Sequence, residues 1–223
     1  MSKLTREAVL DRAVRLADEE GVAAVSVRRL AAELDVTPMA MYWHFKNKEE
    51  LFSAAADHLL AGLIGPPVPE QAWNERLRAM VGRVIELMRA HRSLPELLRH
   101  CDKSRALNFL RATDTVLGLL KNEGFTLTEG YYVAGYLLNG CMGLVAGDPS
   151  CRPNMGEREA AEQRRQHRAA LTALPPDGFP SITEWARTAP EPPDVEHYYA
   201  IGLDLLVAGV EGLAAARRSQ GRS

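Results

Sequence analysis

Thr37-Pro38-Met39-Ala40-Met41-Tyr42-Trp43-His44-Phe45-Lys46-Asn47 decides what the start of this chain folds into. Thr37 can cap a helix whose first turn holds Pro38, where the missing N–H costs nothing. Asn47, with Glu50 three residues on, caps the next helix in the manner of a capping box, one orphan donor being satisfied from each side. Between the two caps there is room for barely two helical turns, ending in aromatic and basic groups. Such a helix, held between longer ones, is a poor enzyme core and a good fit to the DNA major groove.

Working outward, helical punctuation is dense and strand signals are almost absent. A first helix is expected from about Thr5 to Glu20, stopped by Gly21, with Val9, Ala13, Leu16 and Ala17 as its apolar stripe. Ser26 caps a second, Val27 to Leu34, with Leu30, Ala31 and Leu34 facing inward. Joined through Asp35-Val36, the second and third helices have the lengths of a helix-turn-helix. The fourth helix continues through Leu51, Phe52, Ala55, Leu59 and Leu63. Gly65-Pro66-Pro67 ends it, so the expected domains are residues 1–65 and 66–223.

In a helix-turn-helix the second helix offers side chains to base edges. Arg28 has the geometry for a bidentate contact to guanine, a source of discrimination of roughly 1–3 kcal/mol. Met39 and Ala40 suit thymine methyls. Tyr42, His44 and Lys48 suit phosphate oxygens, which set register without reading sequence. The expected DNA-contacting set is therefore Arg28, Thr37, Met39, Ala40, Tyr42, His44 and Lys48. A plain three-helix bundle with solvated arginines fits the same pattern.

Beyond Gln71, helices are expected at about 72–90, 95–100, 104–123, 127–147, 157–173 and 195–217. Six of the chain's thirteen prolines lie between Leu174 and Asp194, which makes that stretch a loop. Within it, Ser181-Ile182-Thr183-Glu184 has capping-box spacing and predicts one short helix. The fold class is thus all-α: an N-terminal three-helix helix-turn-helix domain, then a larger helical domain.

Composition bounds the function. At 223 residues and 46% hydrophobic content the chain has ample material for a packed core. The net charge of −2 supplies no global basic field, so any nucleic-acid contact rests on how charges are placed. From Ser26 to Lys48 the balance does turn positive: Arg28, Arg29, Lys46 and Lys48 against Glu33 and Asp35. Cys101, Cys141 and Cys151 lack metal-ligand spacing and fit reduced thiols in a cytosol. The N-terminus does not read as a signal peptide. Tyr131 to Gly147 is uncharged but falls short of a membrane span, so no membrane is expected. With no Ser-His-Asp arrangement, phosphate loop, paired carboxylates or metal-ligand motif, no enzyme, cofactor or metal is expected.

Two further patterns bear on partners. Gly135, Gly140 and Gly143 on the 127–147 helix, and Gly202, Gly209 and Gly212 on the 195–217 helix, let helix backbones approach closely. Both helices are apolar over more than one face, and a helix of that kind needs partners on two sides. A homodimer through these two helices, as a four-helix bundle across a two-fold axis, is the expectation; an intradomain core is the rival. Arg158, Arg164, Arg165, His167 and Arg168, interleaved with Glu157, Glu159 and Glu162, read as a solvated helix face with i,i+4 pairs. His58 and His91 have no ligand-spaced partner and take no role.

Residues 1–60 resemble the N-terminal domain of the tetracycline repressor (TetR) family. Leu30-Ala31-x-x-Leu34, the Thr37 turn, Tyr42-Trp43-His44-Phe45-Lys46-Asn47-Lys48 and Leu51 match in spacing and type. Glu123-Gly124-Phe125-Thr126-Leu127 and Ile201-Gly202-Leu203-Asp204-Leu205-Leu206 resemble the C-terminal domain of the tetracycline repressor subgroup. The resemblance implies a cytoplasmic, nucleoid-associated homodimer that represses from a palindromic double-stranded operator. In the family, positions matching Arg28, Met39, Ala40, Tyr42, His44 and Lys48 touch DNA, and a small molecule between the C-terminal helices re-angles the fourth helix. In tetracycline-binding members His, Gln, His and Glu hold the antibiotic and its magnesium, at positions that here are Ile64, Val116, Asn139 and Gly147. A hard cation needs oxygen ligands, so a small, largely apolar effector is expected instead. Met88, His100, Phe109 and Asn139 are the candidates for its lining. Two other classes stay open: a helical ligand-binding or enzymatic protein that has lost DNA binding, and a scaffold without a ligand.

Overall fold

A computed structural model of the chain describes residues 5–65, 71–150 and 156–220. Among these, every regular element is a helix: α1 Arg6–Glu20, a 3-10 turn Val22–Ala24, α2 Val27–Glu33, α3 Pro38–Tyr42, α4 Lys48–Leu59, α5 Trp73–Ala90, α6 Leu94–His100, α7 Leu107–Asn122, α8 Leu127–Ala146, α9 Glu157–Thr172, α10 Pro180–Thr188 and α11 Val195–Gln220. By internal packing the chain divides into two units, residues 1–142 with 206–223 and residues 143–205.

The caps set these boundaries. Thr5, Ser26, Thr37 and Asn47 each accept a backbone N–H with the side-chain oxygen. Asn47 Oδ1 accepts from Glu50 N at 2.7 Å, while Glu50 Oε2 accepts in return from Lys46 N at 2.9 Å, one residue earlier than a strict capping box. Thr126 and Glu129 complete the box at α8: Glu129 Oε2 accepts from Thr126 N, and Thr126 Oγ1 accepts from Glu129 N. At the ends of α2 and α7 the chain closes in the same Schellman geometry, Val36 N donating to Ala31 O and Phe125 N to Leu120 O. The left-handed position is Gly124 (φ 86°) after α7 but Asp35 (φ 52°) after α2. Asp is one of the few L-residues that visits this region at modest cost.

Three expectations on boundaries are corrected. Helix α4 stops at Leu59, and Leu60–Leu63 continue as tight turns through Gly62 at φ 103°. Helix α7 starts at Leu107 and not at 104, because Asp102 Oδ1 holds Ser104 N and Oγ in a local turn. Helix α10 starts at Pro180, and Ser181 is no cap; the Thr183 hydroxyl donates back to Phe179 O instead.

The first unit's N-terminal core is Val9, Leu16, Leu30, Ala31, Met41, Phe45 and Leu51, all buried. Leu34 caps α2 and is only half-buried. Glu33 clamps α1 to α2, accepting from Arg12 Nε and Arg29 Nε, each at 2.5 Å. These two hydrogen bonds hold the Glu33 carboxyl below its ordinary pKa and raise both arginines. Asp11 of α1 meets His58 Nε2 of α4 at 2.8 Å. Asp18 of α1 meets His91 Nδ1 at 2.8 Å and accepts from Ser93 N and Oγ. Both histidines for which the sequence suggested no role therefore fasten α1 to later segments.

In the second unit, Tyr199 donates to Asp148 Oδ2 and Tyr198 donates to Leu144 O. A Cβ on Gly202 would overlap the Leu144 side chain. The basic cluster is more than a solvated face: Arg164 pairs with Glu191 at 3.2 Å and Arg168 donates to Ala189 O at 2.7 Å. Arg165 pairs within its own helix with Glu162.

Candidate nucleic-acid interface and adjoining cavity

Helix α3 has only five residues, and its position comes from one buried side and two anchors beyond it. Met41 and Phe45 are buried in the core, and Arg6 of α1 closes over the outside. The Arg6 guanidinium lies 4.5 Å from the Phe45 ring centroid and donates to His44 O at 2.7 Å. With Met41 and Phe45 inside, the neighbouring positions point out. Met39 is 69% exposed, Tyr42 49% and Trp43 86%.

Of the expected DNA-contacting residues, Arg28, Thr37, Met39, Tyr42 and Lys48 are exposed, whereas Ala40 and His44 are half-buried. The Thr37 oxygen accepts from Ala40 N as the cap. The Lys48 ammonium stands 5.0 Å from the Phe52 ring centroid. The structure separates the two adjacent arginines: Arg29 is held by Glu20 and Glu33, while Arg28 points to solvent with no ion pair among the described residues. Trp43, quoted in the motif but assigned nothing, is the most exposed large apolar side chain described. Its signal in the sequence was its place between buried Met41 and buried Phe45.

A cavity of about 190 Å³ lies within the first unit, between Leu60 and Leu63 after α4, the middle of α5, and the facing sides of α7 and α8. Met80, Val81, Val84, Leu98, Val116, Leu137 and Leu138 make it apolar; Lys103, Thr113, Tyr131 and Asn139 are its polar groups. Phe109 and Asn139 line it as named from the sequence. Met88 and His100 do not: Met88 is fully buried off the lining, and His100 packs its ring 5.9 Å from that of Phe52. Val116 and Asn139 are the two magnesium-and-drug positions on the lining; Ile64 is exposed, and Gly147 belongs to the second unit. Cys141 also reaches the cavity, and burial pushes its thiol up to about 12. The Cys101 thiol is also raised by burial, and Cys151 lies outside the described residues. Among the described residues no cluster of metal-ligating side chains occurs.

Helix α4 also holds the entrance to α7. Helix α7 has Ala106 at its N-cap and no cap of its own. Asp57 of α4 supplies it, accepting from Asn108 N at 2.7 Å and Phe109 N at 3.1 Å. Asn108 Nδ2 returns a bond to Asp57 O at 3.0 Å. One turn earlier, Ser53 Oγ accepts from Asp102 N at 2.9 Å. Asp57 and Ser53 thus tie the start of α7 and the turn before it to α4.

Helices α8 and α11 present further apolar surface. Tyr132 and Tyr136 are exposed on α8; Ile201, Leu205 and Leu213 on α11, with exposed Ala208, Gly209, Gly212, Ala215 and Ala216 among them. The six glycines divide. Gly140 and Gly202 are filled by Leu206 and Leu144 of the same chain, which corrects their assignment to a close approach between two copies. Gly143, Gly209 and Gly212 face open space, and Gly135 lines the cavity. By length and composition alone Val195–Ser219 could cross a bilayer. Asp204 and Glu211 stand within it, however, and Glu211 accepts from Asn74 Nδ2 at 2.7 Å.

A braced short helix with exposed hydroxyl, indole and cationic groups, on an all-helical chain with an apolar cavity, defines the class of helix-turn-helix DNA-binding regulators. Residues 9–55 match the family described as bacterial regulatory proteins, tetR family, and residues 66–214 match the tetracyclin repressor-like C-terminal domain. The chain belongs to the TetR family, and it is a ligand-responsive DNA-binding transcriptional regulator and not an enzyme. The tetracycline repressor protein class D of Escherichia coli is 27% identical over 223 residues, covering 95% of this chain and 91% of that protein. The Streptomyces coelicolor TetR family protein ActR, in complex with actinorhodin, superposes with a TM-score of 0.78 at 24% identity, over 96% of this chain and 99% of that one. BioQ with its double-stranded DNA operator gives a TM-score of 0.58 at 26% identity, over 82% of this chain and 99% of that one. Regulators of the family are soluble, cytoplasmic and bind operator DNA and small molecules.

Proposed function

We propose that this chain is a repressor that sits at the nucleoid as a homodimer on a palindromic operator and is cleared from it by a small, largely apolar effector. The observation that carries the reading is the exposure of Met39, Tyr42 and Trp43 on a helix whose other face is locked into the core. Exposed aromatic groups beside exposed Arg28 and Lys48 have a use against a duplex and a cost without one. Arg28 reads a base edge, Met39 and Ala40 contact thymine methyls, and Thr37, Tyr42, His44, Lys48 and Trp43 engage the backbone.

The domain division follows function: residues 1–65 read DNA and residues 66–223 bind effector and partner. Two copies pair through the outward faces of α8 and α11, and they set the two α3 helices about 34–36 Å apart, one turn of DNA. Phe109 and Asn139 line the effector site. A guest there moves the α7 N-terminus, which Asp57 links to α4, and so re-angles the head. Release requires the effector to favour the DNA-free arrangement by several kcal/mol, since reversing a 99:1 population takes about 5.5 kcal/mol. A tetracycline–magnesium complex is a poor candidate, because the oxygen and imidazole ligands it needs are replaced by Ile64, Val116 and Gly147.

Selection of bound fragments from random double-stranded DNA tests the reading. The expected result is an inverted repeat with half-sites one helical turn apart, and Trp43→Ala should weaken binding to every selected sequence. Enrichment of no motif, or of unpaired half-sites only, would refute it.

A further inference from the structure

The charge of the cavity wall narrows the chemistry of its guest. Among the described lining groups Lys103 alone is ionic, and no Asp, Glu or His is among them. The Lys103 ammonium stands 5.9 Å from the centroid of the Phe109 ring, which is itself part of the wall, so the charge sits on the rim of the apolar space. Its sequence neighbour Asp102 is turned to other partners, Ser104 N, Ser104 Oγ and Arg105 Nε. The Thr113 hydroxyl proton is spent on Phe109 O, which leaves Tyr131 and Asn139 as the neutral hydrogen-bonding groups. A cationic guest would face a like charge and no acceptor carboxylate, which costs free energy at close range. An anionic guest meets an ammonium and a phenol donor with its apolar body against Leu60, Val81 and Val116.

Resting on the reading of this cavity as the effector site, we propose that the effector is an organic acid: a compact apolar body with one anionic group held at Lys103. Size sets the rest of the class. The 190 Å³ of space exceeds the ~150 Å³ that accommodates benzene and falls below the ~300 Å³ at which drug-sized sites begin. One or two fused rings, or a chain of similar volume, fill it.

Calorimetric titration of the full-length protein with 2-naphthoate and with 2-naphthylmethanol compares one skeleton with and without the charge. In low salt the acid should bind about fivefold more tightly than the alcohol, the scale of one partly exposed ionic contact. Lys103→Met should abolish that preference and leave the alcohol within about twofold. Equal binding of the two compounds, or a preference that survives Lys103→Met, would overturn the acid inference and leave the cavity as a site. The Ala112→Phe variant, which fills the cavity from α7, separates the two failures. Loss of both compounds in that variant supports the cavity as their site. Binding of both unchanged, or binding of neither to the unaltered protein, would overturn the cavity reading and the acid inference with it.

Discussion

Helices α3 and α11 both hold large apolar side chains out to solvent, Met39 and Trp43 at 69% and 86% beside the first, Leu205 and Ile201 at 71% and 46% on the second. What surrounds them differs. Beside α3 stand a hydroxyl, a phenol, an indole N–H and two cations, groups that find hydrogen-bond acceptors on a duplex. Between Leu205 and Leu213 on α11 the exposed residues are Ala208, Gly209 and Gly212, whose side chains offer no hydrogen bond and let another helix come close. Exposed apolar area alone therefore says that a partner is expected; the chemistry of the flanking residues says which one. Helix length points the same way, since five residues fit into a groove while 26 suit a seam with a copy of itself.

The sharpest way to break this contrast is to compare Phe45→Ala with Trp43→Ala, aromatic positions two residues apart, one buried and one exposed. Loss of buried Phe45 should cost about 3–5 kcal/mol in chemical denaturation, whereas Trp43→Ala should leave unfolding almost unchanged and weaken DNA binding. Equal destabilisation by both would mean that Trp43 is part of the core. Next, Leu205→Glu should convert the proposed dimer to a folded monomer in sedimentation analysis and abolish operator binding with it. A dimer that persists would move the seam elsewhere.

Arg28→Ala should cost about 1–3 kcal/mol of operator affinity and relax selectivity at one base pair per half-site, read by competition binding. Arg29→Ala, which removes only intramolecular pairs, should leave selectivity intact; the reverse outcome would exchange their roles. Asp57→Ala should lower stability by about 0.5–2 kcal/mol through the lost cap on α7. It should also blunt effector-driven release more than effector affinity, and equal loss of both would remove α7 as the link.

The smallest effect concerns pH. Glu129 has its pKa lowered to about 2, first by the Thr126 backbone hydrogen bond and then by Arg217. A carboxyl depressed on folding stabilises the native state above its unfolded pKa, near 4.3, and that contribution is lost as pH falls through the folded value. Between about pH 4.5 and 2 the stability difference between the unaltered protein and Glu129→Gln should narrow. A constant gap on acidification would show that the carboxylate's charge is not what the α8 start uses.

How far the fold was legible follows from the range of the forces. Thr5, Ser26, Thr37 and Asn47 cap helices through bonds to residues three positions away, so spacing alone exposes them. The capping pattern at Ser181 misled because Pro180, pre-set for a first helical turn, starts the helix two residues sooner than a Ser181 cap would. Met88 and His100, candidates for the cavity lining by sequence, do not line it, because which faces of α5 and α6 turn inward is set by packing and not by residue type. Lys103, the group that gives the cavity its sign, carried no pattern at all.

Residues near one another in sequence were enough to determine that this chain is helical, where its first four helices begin, and that α3 ends in groups suited to a groove. Hydrogen bonds across three or four residues and one-sided apolar spacing are local, and they are written in order along the chain. Tertiary structure alone decided which of two arginines is free, that Asp57 caps a helix 50 residues away, that His58 and His91 anchor α1, and that two of six glycines are filled by the chain itself. Each of those depends on where side chains distant in sequence come to rest, and only the packed core sets that.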